Sequence, residues 1–327
     1  MIYLMARRST NRNTVTCTGA WSVRGYNSVA GSVFAYNALV PPLQVLLNGL
    51  IAGSLYTLTA FGFALVYATS RFFHFAHGSV FAAGAYLAFA LTVWAGLQPL
   101  LALPLAVVGS AVLGGAIEVA VYKPLRTSGA SSVVFLLASM GVFVMLQSLV
   151  SIVFGDDSKG LGSPDVGGVL HLRNARLTPV QALALVFAVV LWPSLWLMLN
   201  RTRFGLTLRA AANDPELARA KGVNLEHLHV WVILLGSALA STAGIITAYD
   251  TGMRPTMAFE ALLVAVVTTV MGGLGSATGV LAAGCAVGFI QHLGAWYISA
   301  EWQDAILFLV LLLLLLARPT GLFGRTT

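Results

Sequence analysis

Val180 to Leu199 reads VQALALVFAVVLWPSLWLML, and Leu309 to Leu316 reads LVLLLLLL. The first stretch matches the roughly 20 apolar residues that cross a bilayer as a helix, and it carries no charge. In lipid a chain must satisfy its own backbone, so it spans as a helix or as part of a closed barrel. Barrel strands alternate apolar and polar residues with period two. Neither stretch alternates, and their Ala and Leu are good helix formers. The pattern predicts an all-α, polytopic transmembrane helix bundle.

The rest of the chain agrees. Of 327 residues, 58% are hydrophobic and 9% are charged, against roughly 25% charged in a soluble domain. So few charges cannot clothe a soluble protein of this size. A soluble enzyme, a nucleic-acid binder and a disulfide-rich secreted domain are excluded. The net charge of +7 then reports sidedness rather than nucleic-acid binding. Cys17 and Cys285 make no framework and no CxxC.

Residues 1–42 differ in composition from the remainder of the chain. They are rich in Ser, Thr and Asn, contain no acid, and carry Arg7, Arg8, Arg12 and Arg24. Three readings stand: a basic targeting-like extension, a disordered tail, or a start codon placed too early. Spans are expected at about 43–69, 75–96, 100–122, 133–154, 179–199, 230–249 and 303–317, with two more between Ala261 and Ile298. That pair divides at Gly272-Gly273-Leu274-Gly275-Ser276. The total is nine, within a range of eight to ten, and a re-entrant pair at the glycine break is the main alternative.

With the end of the chain taken as cytoplasmic, Arg71, Lys123, Arg126, Arg201, Arg203, Arg209, Arg219, Lys221, Arg318 and Arg325 fall inside. Lys159, Arg173, Arg176 and Arg254 fall outside. That bias obeys the positive-inside rule. The arginines of residues 1–42 oppose it.

Familiar chemistry is missing from the sequence. It contains no GxxxxGK[ST], no HExxH and no GxSxG. The six histidines are scattered, and His227 and His229 make a poor metal pair. Intramembrane acids and bases, the usual parts of ion relays, are scarce. Glu118 is the only acid before residue 155, and it reads as an interfacial anchor paired with a nearby base. A transporter with neither an ATPase nor a relay must borrow energy from a partner.

One segment is suited to receive it. In Arg209-Ala-Ala-Ala-Asn213-Asp214-Pro215-Glu216-Leu217-Ala-Arg219-Ala-Lys221-Gly222, Asn213 or Asp214 can cap a helix and Pro215 suits its first turn. Glu216 favours the positive end, and Arg219 and Lys221 the negative one. Gly222 can terminate it. A separate helix of about two turns is predicted, lying either in a partner's groove or on the membrane surface.

These residues, taken together, resemble a known family. The stretches are Leu47-Asn48-Gly49-Leu50 through Gly53-Ser54-Leu55-Tyr56 to Tyr67, Phe75-Ala76-His77-Gly78 with Gly84-Ala85-Tyr86, and Tyr122-Lys123-Pro124-Leu125-Arg126. They continue with Leu208 to Glu216 and Gly222, Gly272 to Ser276 with Gly279, Glu301 to Asp304, and Arg318 to Gly324. In this order, from about Val45 to Arg325, they are similar to the inner-membrane permease subunits of ABC importers for branched-chain amino acids. Relatives of that family import urea and short amides. The resemblance implies that residues 43–327 are the permease domain of a multi-pass protein of a bacterial-type inner membrane, and not an enzyme. It implies a second permease, two P-loop ATPase subunits that carry the ATP and Mg²⁺, and an extracytoplasmic solute-binding protein. No cofactor is expected on this chain. Arg209, Asn213, Asp214, Pro215, Glu216, Arg219 and Gly222 become the expected ATPase-coupling segment. Asn48, Tyr56, His77, Gly78, Gly272, Gly273 and Gly275 become candidates for the pathway or its gate. There are departures: the family usually has Asn where His74 stands, often an acid at Ser79, and Gly at Ala258.

Residue by residue, alternatives stay open. Gly49 and Gly53, Gly275 and Gly279, and Gly284 and Gly288 form GxxxG spacings, suited to close helix packing or to a hinge. Asn48 and Gln147 either bond within the bundle or line the pathway, and His77 is either structural or functional. A mostly apolar pathway suits leucine- or valine-like side chains without excluding urea. The rivals from other classes are a self-contained secondary transporter or channel, and a membrane-embedded enzyme.

Overall fold

The computed structural model describes residues 43–162, 170–172 and 175–323. The basic segment 1–42, with its open readings, lies outside the described residues.

Among the described residues twelve α-helices follow in order: α1 Leu43–Ser70, α2 Ala76–Phe89, α3 Pro99–Ile117, α4 Lys123–Thr127, α5 Ser132–Phe154, α6 Pro179–Arg201, α7 Arg203–Asn213, α8 Pro215–Ala220, α9 Leu225–Thr251, α10 Met257–Gly272, α11 Ala277–Tyr297 and α12 Gln303–Ala317. A π-turn, Ala90–Trp94, extends α2, and another, Glu118–Tyr122, joins α3 to α4. The described strands are a small antiparallel hairpin, β1 Leu170–Leu172 and β2 Ala175–Leu177.

Among the described residues eight helical segments are long and apolar enough to cross a membrane, and Met257–Gly272 is a shorter apolar helix. Contacts between connections show how they run. At one end Gln44 donates to the Arg176 carbonyl, the Lys159 amide to the Met253 carbonyl, and Gln181 to Asp250. At the other end Arg71 reaches the Ala212 carbonyl, Lys123 pairs with Glu226, and the Leu322 amide bonds to the Met271 carbonyl. The chain therefore enters the bundle at the first end and finishes at the second, which requires an odd number of crossings. α10 supplies the ninth, and the glycine break joins two crossing helices rather than a re-entrant pair. At 16 residues, or roughly 24 Å, α10 is short for a bilayer. It is buried along most of its length, so it need not match lipid thickness. The second end gathers most of the described bases and is the basic end of the bundle.

α1, α2, α9 and α10 form the interior. α3, α5, α6 and α12 turn residues such as Leu105, Ile152, Val189 and Leu316 outward, as a lipid-facing shell requires. Two of the three GxxxG spacings pack on each other. A Cβ on Gly53 would lie 2.9 Å from the Gly284 carbonyl oxygen, and one on Gly288 would lie 2.3 Å from that of Gly49. α1 and α11 thus meet backbone to backbone. The third spacing is different: Gly275 stands in a turn at φ +91°, and Gly279 packs on Gly272. Elsewhere glycines admit hydroxyls. Ser237 Oγ fills the notch at Gly114, and Ser241 Oγ the notch at Gly84.

Candidate functional site

The basic end is built from α4, α7, α8 and the start of α9. The segment expected to be one short helix in a loop is two helices. The Thr202 hydroxyl accepts from the Gly205 amide and starts α7. Phe204, Leu208 and Ala211 turn inward at helical spacing, a sequence signal that the loop reading passed over. Arg209 and Asn213 belong to α7, not to the short helix. Asp214 caps α8, its Oδ1 accepting from the Leu217 amide at 2.9 Å. Pro215 takes the first position and Glu216 the first turn. The far end closes as a Schellman motif. The Val223 amide bonds to the Ala218 carbonyl, the Gly222 amide to the Arg219 carbonyl, and Gly222 adopts φ +87°. α8 has only six residues, too few to be stable alone, so its form rests on these caps. Ala218 is buried, while Pro215, Glu216, Leu217, Arg219 and Ala220 are exposed.

Two grooves flank α8. The larger, about 680 Å³, is lined by Lys123, Arg126, Thr127, Arg219, Glu226 and the Gly222–Leu225 turn. The smaller, about 330 Å³, is lined by Phe204, Thr207, Leu228, Trp231 and the other side of the same turn. Lys123 pairs with Glu226 at 3.1 Å. Arg126 pairs with Glu118 at 2.6 Å, and the Glu118 side chain is only 1% exposed. Glu118 is thus a buried counter-ion whose base is Arg126, two helical turns on.

Above this end the bundle holds an interruption. α1 ends at Ser70, Arg71 takes φ +55°, and residues 71–75 run without helix. They re-enter the protein: Phe72 and His74 are buried. α2 starts beside Thr59, whose carbonyl accepts from His77 Nε2 at 3.0 Å. Thr59 lies eleven residues before Ser70, roughly 16 Å along α1. Irregular backbone at such depth survives only when protein surrounds it and satisfies it. Ser139 of α5 does so, accepting from the Phe75 amide at 3.2 Å and bonding the Phe73 carbonyl at 3.1 Å. His74 Nδ1 meets the Tyr122 hydroxyl at 3.0 Å. All three departures from the family pattern stand around the start of α2. His74 is in the link, Ser79 donates to the Phe143 carbonyl, and the Ala258 carbonyl faces Gly78.

The seven pathway candidates do not converge. Asn48 accepts from Gln44 near the end opposite the grooves. Tyr56 packs among Val264, Val267, Met271 and Leu307. His77 and Gly78 are buried at the start of α2. Gly272 and Gly273 close α10, with Gly275 exposed in the following turn. None of the seven lines either groove. The arrangement at the basic end, by contrast, joins its parts. Through Arg71 and Ala212 the α7–α8 segment touches the α1–α2 interruption. Sequence reasoning named Arg71 only as a base and Tyr122 only within a family stretch, and it passed over Glu226, because their partners are distant in the chain.

This is a multi-pass membrane protein with a capped, projecting helix at its basic end. The chain matches the family described as "Branched-chain amino acid transport system / permease component" over residues 45–315, and it belongs to that family. It is 32% identical over 298 residues to the high-affinity branched-chain amino acid transport system permease protein BraD of Pseudomonas aeruginosa, covering 86% of this chain and 96% of that one. It is 31% identical over 296 residues to the corresponding permease protein LivH of Escherichia coli, with the same coverage. A probable branched-chain amino acid transport permease protein, LivH of Methanocaldococcus jannaschii, is 26% identical over 291 residues, covering 86% of this chain and 92% of that one.

Proposed function

We propose that the chain is the translocation subunit of an ATP-driven importer that carries branched-chain or other hydrophobic amino acids. Membership of the permease family supports the transport role. The observation that carries the coupling mechanism is α8: six residues, capped at both ends, exposed at the basic end, packed through Ala218 and joined through α7 to Arg71. The basic end is cytoplasmic, by the positive-inside rule, and the membrane is the bacterial-type inner membrane. A soluble ATPase subunit binds ATP and Mg²⁺ and grips α8. Its movement passes through α7 and Arg71 to residues 71–75 and the start of α2. A second permease chain completes the pathway, a second ATPase completes the motor, and a binding protein delivers solute at the opposite end. The apolar interior suits aliphatic side chains. Pathway roles for Asn48, Tyr56, His77, Gly78, Gly272, Gly273 and Gly275 belong to this same reading, since they sit on or beside helices that must shift.

The test is uptake by the reassembled importer in vesicles. Leucine or valine should enter only with ATP and the binding protein present. Entry of urea or short amides in place of leucine would move the solute assignment. Uptake driven by an ion gradient without the ATPase would overturn the mechanism.

A further inference from the structure

We propose that the smaller groove is a headgroup site for an anionic phospholipid of the surrounding bilayer. The site depends only on the membrane reading and on the basic end, and it would stand whether or not α8 meets an ATPase.

The groove, about 330 Å³, lies between α7 and the start of α9. One wall is apolar: partly buried Phe204 from α7, with buried Leu228 and the 62% exposed Trp231 from α9. Trp231 stands six residues after Leu225, roughly 9 Å into α9, a depth at which an indole sits among lipid headgroups. The other wall is cationic. Lys221 lines it, exposed. Arg203, also exposed, stands four residues before Thr207 and so on the same face of α7. Among the described residues neither base enters an ion pair, and none that line the groove is acidic. Asn224 adds a donor. Its Oδ1 accepts from the His227 amide at 3.1 Å, which leaves its NH₂ for another acceptor.

Unpaired bases beside an aromatic wall, at the basic end of a membrane bundle, hold an anionic headgroup together with the chain attached to it. Inorganic phosphate would use the bases and leave the wall bare. A carboxylate of a soluble partner would do the same. The larger groove does not offer this chemistry. Its Lys123 is tied to Glu226 at 3.1 Å, its Arg126 to Glu118 at 2.6 Å, and no aromatic residue lines it among the described residues.

The experiment uses the full chain, purified in mild detergent and washed free of loosely held lipid. Phosphatidylglycerol or phosphatidylcholine is titrated in, and bound lipid is counted by native mass spectrometry. Phosphatidylglycerol should bind about tenfold more tightly than phosphatidylcholine. Lys221→Gln and Arg203→Gln should each weaken it about fivefold, the factor one base near an anionic lipid surface supplies. Lys221→Arg keeps the charge and should keep the binding. Arg318→Gln removes a charge at the same end but outside the groove, and it should change nothing. Millimolar inorganic phosphate should not displace the lipid. A photo-crosslinker at Thr207, which lines the groove without charge, should capture phospholipid in membranes of cells that also make the ATPase. Equal binding of the two lipids, an equal loss from Arg318→Gln, or displacement by inorganic phosphate would each overturn the proposal. So would capture of an ATPase peptide at Thr207 in place of lipid, a result that would leave the coupling reading standing.

Discussion

Gly53 and Gly284 face each other across α1 and α11 so closely that a Cβ on Gly53 would sit 2.9 Å from the Gly284 carbonyl oxygen. Lipid gives no hydrophobic drive to helix association, so this seam depends on backbone approach. Gly53→Ala should lower thermal stability in detergent, and Gly288→Ala should lower it further, because its Cβ would lie 2.3 Å and 2.4 Å from backbone atoms. Overpacking of this kind costs roughly 1–3 kcal/mol. Gly141→Ala is the control, since a Cβ there meets nothing within 4 Å. A melting series that ranked all three variants alike would refute the seam.

The notch at Gly114 makes a compensating pair. Its Cβ would lie 2.0 Å from Ser237 Oγ and 2.8 Å from Ser237 Cβ, with Ile233 the next neighbour at 3.4 Å. Gly114→Ala should destabilise, and adding Ser237→Gly should recover most of the loss. The double-mutant cycle should give a coupling of about 1 kcal/mol or more. Additive single effects would mean that the two side chains do not meet.

The buried ion pair predicts an asymmetry. Arg126→Ala strands the Glu118 carboxylate, which is fully buried, and should cost about 3–5 kcal/mol. Replacing both residues together with Met should recover stability. Expression yield and detergent melting temperature read both effects.

Asp214 separates capping from charge. Asp214→Asn keeps a side-chain oxygen for the Leu217 amide, while Asp214→Ala removes it at a cost of about 1 kcal/mol. For a helix of six residues that loss should fray α8. Hydrogen exchange at Leu217 should quicken in the Ala variant alone, and uptake should fall in the same order. Equal uptake by both variants would show that the cap does not matter.

The membrane helices were legible because a long uncharged apolar run is at home only in lipid, where the backbone must close its own hydrogen bonds. α8 was legible because Asp214, Pro215 and Gly222 each carry a local start or stop signal. α10 was the hard case: its sequence looks like its neighbours', and only its burial accounts for why 16 residues suffice. The break at 71–75 was legible as a gap between two spans, but its return into the protein was not, because the Phe73 and Phe75 backbone groups are satisfied by Ser139, more than sixty residues away. The same holds for the candidate site. Glu118 was visible as a lone acid, but its burial and its pairing with Arg126 depend on the π-turn Glu118–Tyr122 that continues α3. The pathway candidates rest on motif alone, and they lie at different depths of the bundle.

If α8 receives the work of ATP hydrolysis, altering its exposed face must break the link between hydrolysis and transport. The decisive experiment measures ATP hydrolysis and leucine uptake by the complete importer in the same vesicles, with Leu217→Asp compared against the unaltered chain. The unaltered chain should co-purify with a P-loop ATPase and couple hydrolysis to uptake. The variant should lose the ATPase, or keep hydrolysis without uptake, while its fold remains monodisperse. Unchanged uptake by the variant, or uptake by a chain that purifies without any ATPase in several mild detergents, would contradict a coupling role for α8.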